Sequence, residues 1–420
     1  MNDTGHALFV SYGGGHITKV APVVKHLQSL GVSCTVLALT IGFHAARVLG
    51  LSPVGYRDFM HLVDADRAIA MGRSLLEGNR HPLVDEHESA CYLGVNYLDW
   101  VEQFGPEEAA RRYARDGRRG FYPLVFMGRL LDHLKPSVVV STSSPRSEHA
   151  LLEAARQRGI PSLTMMDLFA LPYDPYVKHP VKADRITVMS ERVRANLMAG
   201  GVDAAMISVT GCPAYDALHD PAHVAAARDW RAARGWSDLH VVMWAGYKED
   251  GPGVPDHWFG TAFGVEVERR LRDWVSRCPD VALLVRYHPN QYHEFPFLGD
   301  QPRVHVAVSA DEPAVTQLHA SDVVIVQTST IGLEAALIGK RVLNLTCAPS
   351  VIDLAFDYSV MGIAEPVPRL EDLTAALDQA PSRPPGVEGL PPPPAAPRVA
   401  AEILDLMQRA PARSLTTFQG

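Results

Sequence analysis

The chain has 420 residues, of which 47% are hydrophobic and 20% are charged. These values are typical of globular proteins and exclude a largely disordered or fibrous chain. Lys and Arg together number 39 against 47 Asp and Glu, which gives a formal net charge of -8. Such a chain lacks the broad positive field of duplex-binding proteins, so we expect no nucleic-acid partner.

The apolar segments and the cysteines indicate a cytoplasmic protein. No apolar run approaches the ~20 residues of a membrane span, and the polar start at 1–6 has no signal-peptide pattern. The 5 cysteines are scattered, without CxxC or Cys/His spacing. This distribution predicts neither a disulfide framework nor a structural zinc site.

Short apolar runs alternate with helical patterns along the chain, which is typical of parallel α/β sheets. In the first half, a buried strand over 7–12 leads through glycines into an amphipathic helix over 17–30. Further strands are expected at 33–39, 137–142, 162–166, 185–189 and 206–210, with a helix over about 146–158.

The same pattern then restarts. Helices are expected at 222–234, 264–277 and about 329–338, and strands at 239–244, 281–286, 322–326 and 341–345. Because the chain exceeds the ~250–300 residues that one core usually reaches, we expect two Rossmann-like domains, 1–218 and 219–380.

Two segments depart from this alternation of strands and helices. The segment 59–134 is mostly helical and too long for one crossover, so it is interpreted as an insertion in the N-terminal domain. The segment 381–397 is proline-rich and is predicted to be a stiff linker. It leads to a last helix and tail over 398–420.

A glycine loop follows the first strand, with Gly14 and Gly15 ahead of a helix N-terminus. Glycines let a backbone approach a ligand, and the helix end offers unpaired N–H groups; a plain tight turn is the alternative. An NAD site is not expected, because Ile17 and Thr18 replace the later glycines of GxGxxG. His16, at the carboxyl end of the first strand, is the first candidate for a general base.

The stretch VVIVQTSTIGLEAALIGKRVL at 323–343 carries the most informative pattern. A buried strand runs into Thr328, Ser329 and Thr330 at a helix start, whose free N–H groups suit a diphosphate. Glu334 lies on the same helix face as Thr330, about 6 Å along the axis, where a carboxylate suits ribose hydroxyls. Gly332 indicates the close approach of another group. The alternative is a capped amphipathic helix with an exposed glutamate.

With these residues the chain resembles the GT-B nucleotide-sugar enzymes, which include the inverting lipid-II GlcNAc transferase and the UDP-GlcNAc 2-epimerases. Four motifs carry the resemblance: the glycine loop with APVVKHL at 21–27, TGCPAYD at 210–216, RYHPN at 286–290 and the helix at 328–341. Their order is that of the family. The insertion at 59–134 lies outside the resemblance.

The resemblance implies two Rossmann-like domains facing across a cleft, with the acceptor in the first and the nucleotide-sugar in the second. It implies that Ser329 and Thr330 contact the donor pyrophosphate, Glu334 contacts the ribose, and His288 lies near the phosphates. It also implies a metal-independent reaction without a cofactor, because helix ends and side chains stabilise the leaving phosphate.

The chain departs from the family at its second half. The epimerases carry an HRREN-type motif where this chain has WAGYKEDG at 244–251, which disfavours epimerisation. Glu249 and Asp250, together with His288, are instead similar to the acidic and HP motifs of bacterial sialyltransferases, which use CMP-sugars. That likeness makes Glu249 and Asp250 further catalytic candidates, and a solvated loop is the alternative.

Other polar residues follow strands of the first half. Ser143 and Ser144 come after the strand at 137–142 and are candidates for the acceptor side, although capping of the next helix is favoured. Asp167, after the strand at 162–166, is the second candidate for the general base.

Two charged clusters are interpreted as ordinary surface. Arginines within 111–119 lie beside aromatic residues and suit an anionic membrane or a lipid-linked acceptor, but a solvated helix face is favoured. The acidic and histidine residues of 81–88 do not match a metal-ligand spacing, so no metal site is predicted.

The sequence therefore predicts a GT-B glycosyltransferase that moves a sugar from a UDP-sugar, or alternatively a CMP-sugar, to an acceptor hydroxyl in glycan or natural-product biosynthesis. Two further interpretations stay open at this point: a UDP-sugar 2-epimerase or hydrolase, and a non-catalytic subunit that binds a nucleotide-sugar. We expect the protein in the cytoplasm, with contact to the inner membrane face as a variant of that location.

Overall fold

The structure is a computed structural model that describes residues 5–166, 169–171, 174–309, 311–354, 357–383 and 386–409. Its internal contacts divide the chain into two units. The first unit comprises Met1–Asp216 and Leu390–Gly420, and the second unit comprises Ala217–Gly389. The last helix of the chain therefore belongs to the first unit.

The first unit is built on a six-stranded sheet in which all neighbouring strands are parallel. Its strands are β1 His6–Tyr12, β2 Ser33–Leu39, β3 Val138–Thr142, β4 Ser162–Met165, β5 Arg185–Val188 and β6 Ile207–Val209. Their order is β2-β1-β3-β4-β5-β6, with Phe9 beside Val36 and Val140. All six lie where strands were predicted, because central strands such as β1 and β3 are nearly uninterrupted buried runs.

The second unit repeats this architecture. Its strands are β7 His240–Gly246, β8 Val281–Tyr287, β9 Val304–Val306, β10 Val323–Val326, β11 Arg341–Asn344 and β12 Glu365–Pro366, in the order β12-β11-β10-β7-β8-β9. All of these pairings are parallel. The sequence did not predict β9 and β12, because strands of three and two residues are too short to show a hydrophobic period.

Helices connect the strands of both sheets, so the expected pair of Rossmann-like α/β domains is confirmed. The helices are α1 Gly14–Ser29, α2 Ile41–Val48, α3 Ala65–Ser74, α4 Glu86–Phe104, α5 Pro106–Asp116, α6 Leu124–Leu134, α7 Ser147–Gln157, α8 Pro175–Lys178, α9 Glu191–Ala199, α10 Pro221–Ala232, α11 Ala262–Arg277, α12 Ala314–Ala320, α13 Thr330–Leu337, α14 Pro349–Leu354, α15 Leu373–Asp378 and α16 Ala396–Arg409. Within the described ranges, none of them is both long and apolar enough to span a membrane.

The predicted helical insertion is present between β2 and β3, where it contains α3 to α6. Its first two helices pack backbone to backbone at Gly72 and Gly94. A Cβ atom at Gly72 would lie 1.8 Å from the carbonyl oxygen of Ala90, and one at Gly94 would lie 1.8 Å from that of Ala68. Because no side chain fits at either position, the two glycines set the close packing of α3 on α4.

The last helix, α16, completes the core of the first unit. It packs against α1, with Val399 and Ile403 fully buried. Its start is held by the Asp216 carboxylate, which accepts hydrogen bonds from the backbone N–H groups of Ala395 at 2.7 Å and Ala396 at 2.9 Å. The helix therefore begins two residues earlier than the sequence predicts, because a distant carboxylate caps it.

Replacing Ile403 with Ala should lower the free energy of unfolding of the first unit by about 2–5 kcal/mol, because a fully buried side chain would leave a cavity. Urea denaturation followed by circular dichroism measures this loss. The control is Gln408→Ala on the exposed end of the same helix, which should change stability by less than about 0.5 kcal/mol. Equal stability of the two variants would show that α16 is not part of the folded core.

Candidate functional site

The second unit has a cavity where its strand order reverses. From β7 the chain proceeds to β8 and β9 on one side and then to β10 on the other. Open α/β sheets bind ligands beyond the carboxyl ends of their strands at this kind of position. A cavity of about 340 Å³ lies there, and its lining includes Gly246, Tyr247, Arg286, His288, Gln291, Thr328, Ser329, Thr330 and Ile331.

The predicted hydroxyl residues line this cavity at the N-terminus of α13. Ser329 caps the helix, because its Oγ accepts a hydrogen bond from the N–H of Ile331 at 3.4 Å. Thr330 is the exposed first residue of α13, and the Thr328 hydroxyl is hydrogen-bonded to that of Tyr247. The helix end thus offers N–H groups and hydroxyls at one cavity, a combination that suits phosphate oxygens.

Two basic side chains reach the same cavity from the end of β8. His288, which was predicted to lie near the phosphates of the nucleotide-sugar, is exposed there. Arg286 is only 4% exposed and donates to the carbonyl oxygens of Glu312 at 2.9 Å and Ser309 at 3.1 Å, and to the side chain of Gln317 at 2.7 Å. Among the described residues its Nε has no hydrogen-bond partner. Arg286 was predicted only as part of the RYHPN motif, and its position at the end of a strand was the signal for a site residue.

Glu334 was predicted to contact the ribose, and that contact stays a prediction. The side chain is half-buried one turn beyond the residues that line the cavity, and the described lining does not include it. Burial raises the pKa of its carboxyl group, while the positive charge of Arg286 lowers it.

The close approach that Gly332 indicated involves protein. A Cβ atom at Gly332 would lie 2.8 Å from a methyl group of Val326 on β10 and 3.3 Å from the ring of Tyr358. The Tyr358 hydroxyl in turn donates to the carbonyl oxygen of Ser329 at 3.1 Å. Gly332 thus lets α13 press against its own sheet, and this packing positions the cap residue Ser329.

Of the two acidic candidates after β7, Glu249 is only 1% exposed and Asp250 is exposed. The Glu249 carboxylate accepts hydrogen bonds from the backbone N–H of Ser350 at 2.8 Å and its hydroxyl at 2.9 Å, and from the side chain of Gln327. Gln327 also accepts from the N–H of Tyr247 at 3.0 Å. A solvated loop was therefore the wrong interpretation of Glu249, which ties the ends of β7 and β10 to α14.

In the first unit the strand order reverses beside β1, between β2 and β3. His16 lies in the first turn of α1, and its Nδ1 is 2.7 Å from the hydroxyl of Thr142 at the end of β3. Thr142 lies 3.4 Å from the carboxylate of Glu148, which also accepts from the N–H of Tyr12 at 2.7 Å. Neither Thr142 nor Glu148 was predicted as a site residue. Their positions at the strand end and on the next helix were the available signal.

The glycines of the loop have separate roles. Gly13 has φ +80°, a conformation that favours glycine and makes the turn into α1. Gly14 and Gly15 are the first residues of α1 in the first unit, whereas the hydroxyl residues belong to the second unit. A Cβ atom at Gly15 would meet nothing within 4 Å, so protein packing does not require glycine there.

Burial dominates the electrostatics around His16. Desolvation lowers its pKa to about 4, the charges of Lys19 and Arg146 act in the same direction, and Glu148 opposes them. Desolvation raises the pKa of the Glu148 carboxyl group. His16 is therefore neutral at pH 7 and has a lone pair on one ring nitrogen, as a proton acceptor requires.

The remaining first-unit candidates have different outcomes. Asp167 lies outside the described residues. Ser143 and Ser144 are both buried after β3. The expectation that they cap the next helix is wrong, because α7 begins at Ser147 with Arg146 as its cap residue. The hydroxyl of Ser144 has no hydrogen-bond partner in the described part of the chain.

The two charged clusters differ in their burial. Arg111 and Arg112 donate to the Glu108 carboxylate at 2.9 and 3.0 Å on the exposed side of α5, as a surface cluster should. In the second cluster, Glu88 is instead buried and accepts from the N–H groups of Tyr56 at 2.8 Å and Arg57 at 3.2 Å. Over the described ranges, no group of three or more His, Cys, Asp or Glu side chains is arranged to hold a metal ion.

Comparisons with solved structures agree with this architecture. The UDP-GlcNAc 2-epimerase of Neisseria meningitidis bound to UDP-GlcNAc is 12% identical, with a TM-score of 0.53 over 95% of this chain and 100% of that chain. The UDP-GlcNAc 2-epimerase of Methanocaldococcus jannaschii is 11% identical, with a TM-score of 0.56 over 94% and 99%. The glycosyltransferase of kitacinnamycin is 14% identical, with a TM-score of 0.53 over 97% and 95%.

These similarities confirm the expected GT-B fold, which nucleotide-sugar 2-epimerases and glycosyltransferases share. No protein-family model matches the chain, and no curated protein matches it in sequence.

The depressed pKa of His16 gives a testable pH dependence. Between pH 6.5 and about 4 the unfolded chain protonates this side chain before the folded protein does, so this group makes the protein less stable as the pH falls. His16→Gln should make the unfolding free energy less dependent on pH in that window. Above the window, the pH dependence of the unfolding free energy should be the same as in the unmodified protein. The His16 ring resonance should titrate near pH 4 in the folded protein and near pH ~6.5 in urea. A folded-state pKa near 6.5 would contradict the buried environment.

Proposed function

We propose that the protein is a glycosyltransferase that moves a sugar from a nucleotide-sugar, favouring UDP-sugars, to an acceptor hydroxyl. The observation that carries the proposal is the cavity at the strand-order reversal of the second unit. It combines a helix N-terminus, the hydroxyls of Ser329 and Thr330, exposed His288 and buried Arg286. Solved proteins of the same fold bind UDP-GlcNAc or UDP, which supports this class of donor.

The cavity suits a diphosphate leaving group. The N–H groups and hydroxyls at the start of α13 would bind the oxygens of the diphosphate. Arg286, near the end of β8, would contribute a positive charge from the cavity wall. Because Arg286 is already held by three acceptors, it would need little rearrangement as negative charge develops on the leaving phosphate. The second unit would therefore bind the donor and stabilise the departing nucleotide.

The first unit would supply the base. When Thr142 donates its proton to Glu148, the Thr142 oxygen accepts the proton of His16 Nδ1, which places the lone pair of the ring on Nε2. Such a neutral imidazole, oriented by a second residue, is a general base for an acceptor hydroxyl. The attacking oxygen would then displace the nucleotide from the anomeric carbon with inversion of configuration.

A UDP-sugar 2-epimerase or hydrolase is the second candidate, because several solved structures of this fold are 2-epimerases. The segment WAGYKEDG at 244–251 favours the transferase over this alternative. Incubation with UDP-GlcNAc alone separates them. Epimerised or free sugar with release of UDP in the absence of an acceptor supports the second candidate, and an unchanged donor supports the first.

His288→Ala should weaken UDP binding about 5- to 10-fold, because the cavity would lose a polar group beside the phosphates. The matched control is His293→Ala, an exposed histidine five residues further along that the described cavity lining does not include. It should leave the affinity within twofold. Calorimetric titration of UDP and of CMP into each variant measures these constants and also identifies the favoured base. Equal affinities in both variants would exclude His288 from the donor site.

His16→Ala should lower the turnover number about 100- to 10,000-fold while the affinity for UDP stays within twofold, because a proton acceptor acts on the chemical step. Steady-state kinetics with saturating donor measure the turnover number, and calorimetry measures the affinity for UDP. His26→Ala on the same helix is the control and should retain full turnover. Parallel losses of affinity and turnover in the His16 variant would remove it as the base.

A further inference from the structure

The first unit has a second cavity, which the insertion builds and which the motifs of the family resemblance do not include. Its volume is about 110 Å³. It lies between the loops after β1 and β2 and the segment around α4, and its lining includes Tyr12, Thr40, Ile41, Val84, Tyr92 and Arg118. Engineered cavities of ~150 Å³ bind benzene, so this smaller cavity admits no more than a single six-membered ring.

The walls of this cavity are aromatic. Tyr12 and Tyr92 both line it, and Ile41 and Val84 add apolar surface. The Tyr92 side chain is only 4% exposed, yet among the described residues its hydroxyl has no hydrogen-bond partner. A buried hydroxyl without a partner costs about 1–3 kcal/mol, so a ligand that bonds to it would recover that loss.

The backbone of one residue in the cavity lining is also strained. Thr40, between β2 and α2, has φ +56° and ψ -129°. A β-branched residue in this left-handed region costs on the order of 1–3 kcal/mol, and such conformations cluster at ligand sites. The strained residue lies in the lining of the cavity itself.

The described lining of the cavity includes the charged side chains of Arg118 and Glu88. The Glu88 carboxylate already accepts hydrogen bonds from the N–H groups of Tyr56 and Arg57 and lies 3.7 Å from the Arg57 guanidinium. Arg118 lines the cavity half-buried, and over the described ranges its guanidinium pairs with no carboxylate, whereas neighbouring Arg115 pairs with Asp116 at 2.7 Å. Arg146 adds a second positive charge, with its guanidinium 3.7 Å from the ring centre of Tyr12. An occupant of this site should therefore be an anion with an apolar ring.

We propose that this cavity binds a monocyclic aromatic carboxylate, with its ring between Tyr12 and Tyr92 and its carboxylate on Arg118. The role of this molecule as the sugar acceptor rests on the proposed function. Tyr12 connects the cavity to the candidate base, because its N–H donates to the Glu148 carboxylate at 2.7 Å. That carboxylate lies 3.4 Å from the Thr142 hydroxyl, which is 2.7 Å from His16 Nδ1. A ring hydroxyl on the bound molecule would be the atom that receives the sugar.

The test is calorimetric titration of the full chain with 4-hydroxybenzoate, without nucleotide, and with the neutral analogue 4-hydroxybenzamide. Arg118→Gln should weaken binding of the carboxylate at least 10-fold and leave binding of the amide within twofold. Arg119→Gln, an exposed neighbour outside the described lining, is the matched control and should bind both compounds as the unmodified protein does. Tyr92→Phe should weaken the binding of both compounds, because each would lose its hydrogen bond to the buried Tyr92 hydroxyl.

The proposal is overturned if 4-hydroxybenzoate does not bind the unmodified protein, or if Arg118→Gln and Arg119→Gln bind it equally. A UDP titration of the same sample keeps the two proposals distinguishable. UDP binding without 4-hydroxybenzoate binding removes the aromatic ligand and leaves the proposed donor site. Binding of 4-hydroxybenzoate without UDP binding supports the aromatic site and contradicts the proposed function.

Discussion

Both candidate sites depend on one constraint, the reversal of strand order beside the first strand of each parallel sheet. All strands of a parallel sheet end at the same edge, so the loops that follow the two central strands meet there. His16 and Thr142 are 126 residues apart in sequence, yet they are hydrogen-bonded at this edge of the first sheet. Tyr247 and Gln327, 80 residues apart, meet in the same way in the second sheet.

This edge is also where helices α1 and α13 begin, because each of them directly follows a central strand and returns across the sheet. The N-terminus of α13 therefore lies at the end of β10, and that of α1 at the end of β1. The topology thus supplies partial positive charge at both sites before any charged side chain is considered. A diphosphate is the kind of ligand that uses such an edge.

Buried polar groups hold these edges in place. Glu249 accepts hydrogen bonds from Gln327 and Ser350, and Arg286 donates to three acceptors near the end of its strand. Groups held in this way keep their geometry at low dielectric, where each hydrogen bond is stronger than in water. Desolvation raises the pKa of the Glu249 carboxyl group and lowers that of the His16 imidazole, so in both cases burial favours the neutral form.

The motifs identified Thr328, Ser329, Thr330 and His288, and the structure brings all four to one cavity. Their positions were predictable because they directly follow buried strands. Glu334 was placed by ideal helix geometry, which does not specify how far a helix sinks against its sheet. Gly332 allows α13 to approach Val326 on β10, and the half-buried Glu334 is not among the residues that line the described cavity.

Local patterns were enough to specify the two parallel sheets, the helical insertion and the strand-end hydroxyls, because hydrophobic period and loop composition are properties of short segments. Which polar residues are buried follows only from the folded arrangement. The partners of Glu249, the contact of His16 with Thr142 and the presence of Arg118 and Tyr92 in one cavity all depend on contacts between distant segments. Burial sets protonation and hydrogen-bond needs, and it is a property of the folded chain, which no short stretch of sequence contains.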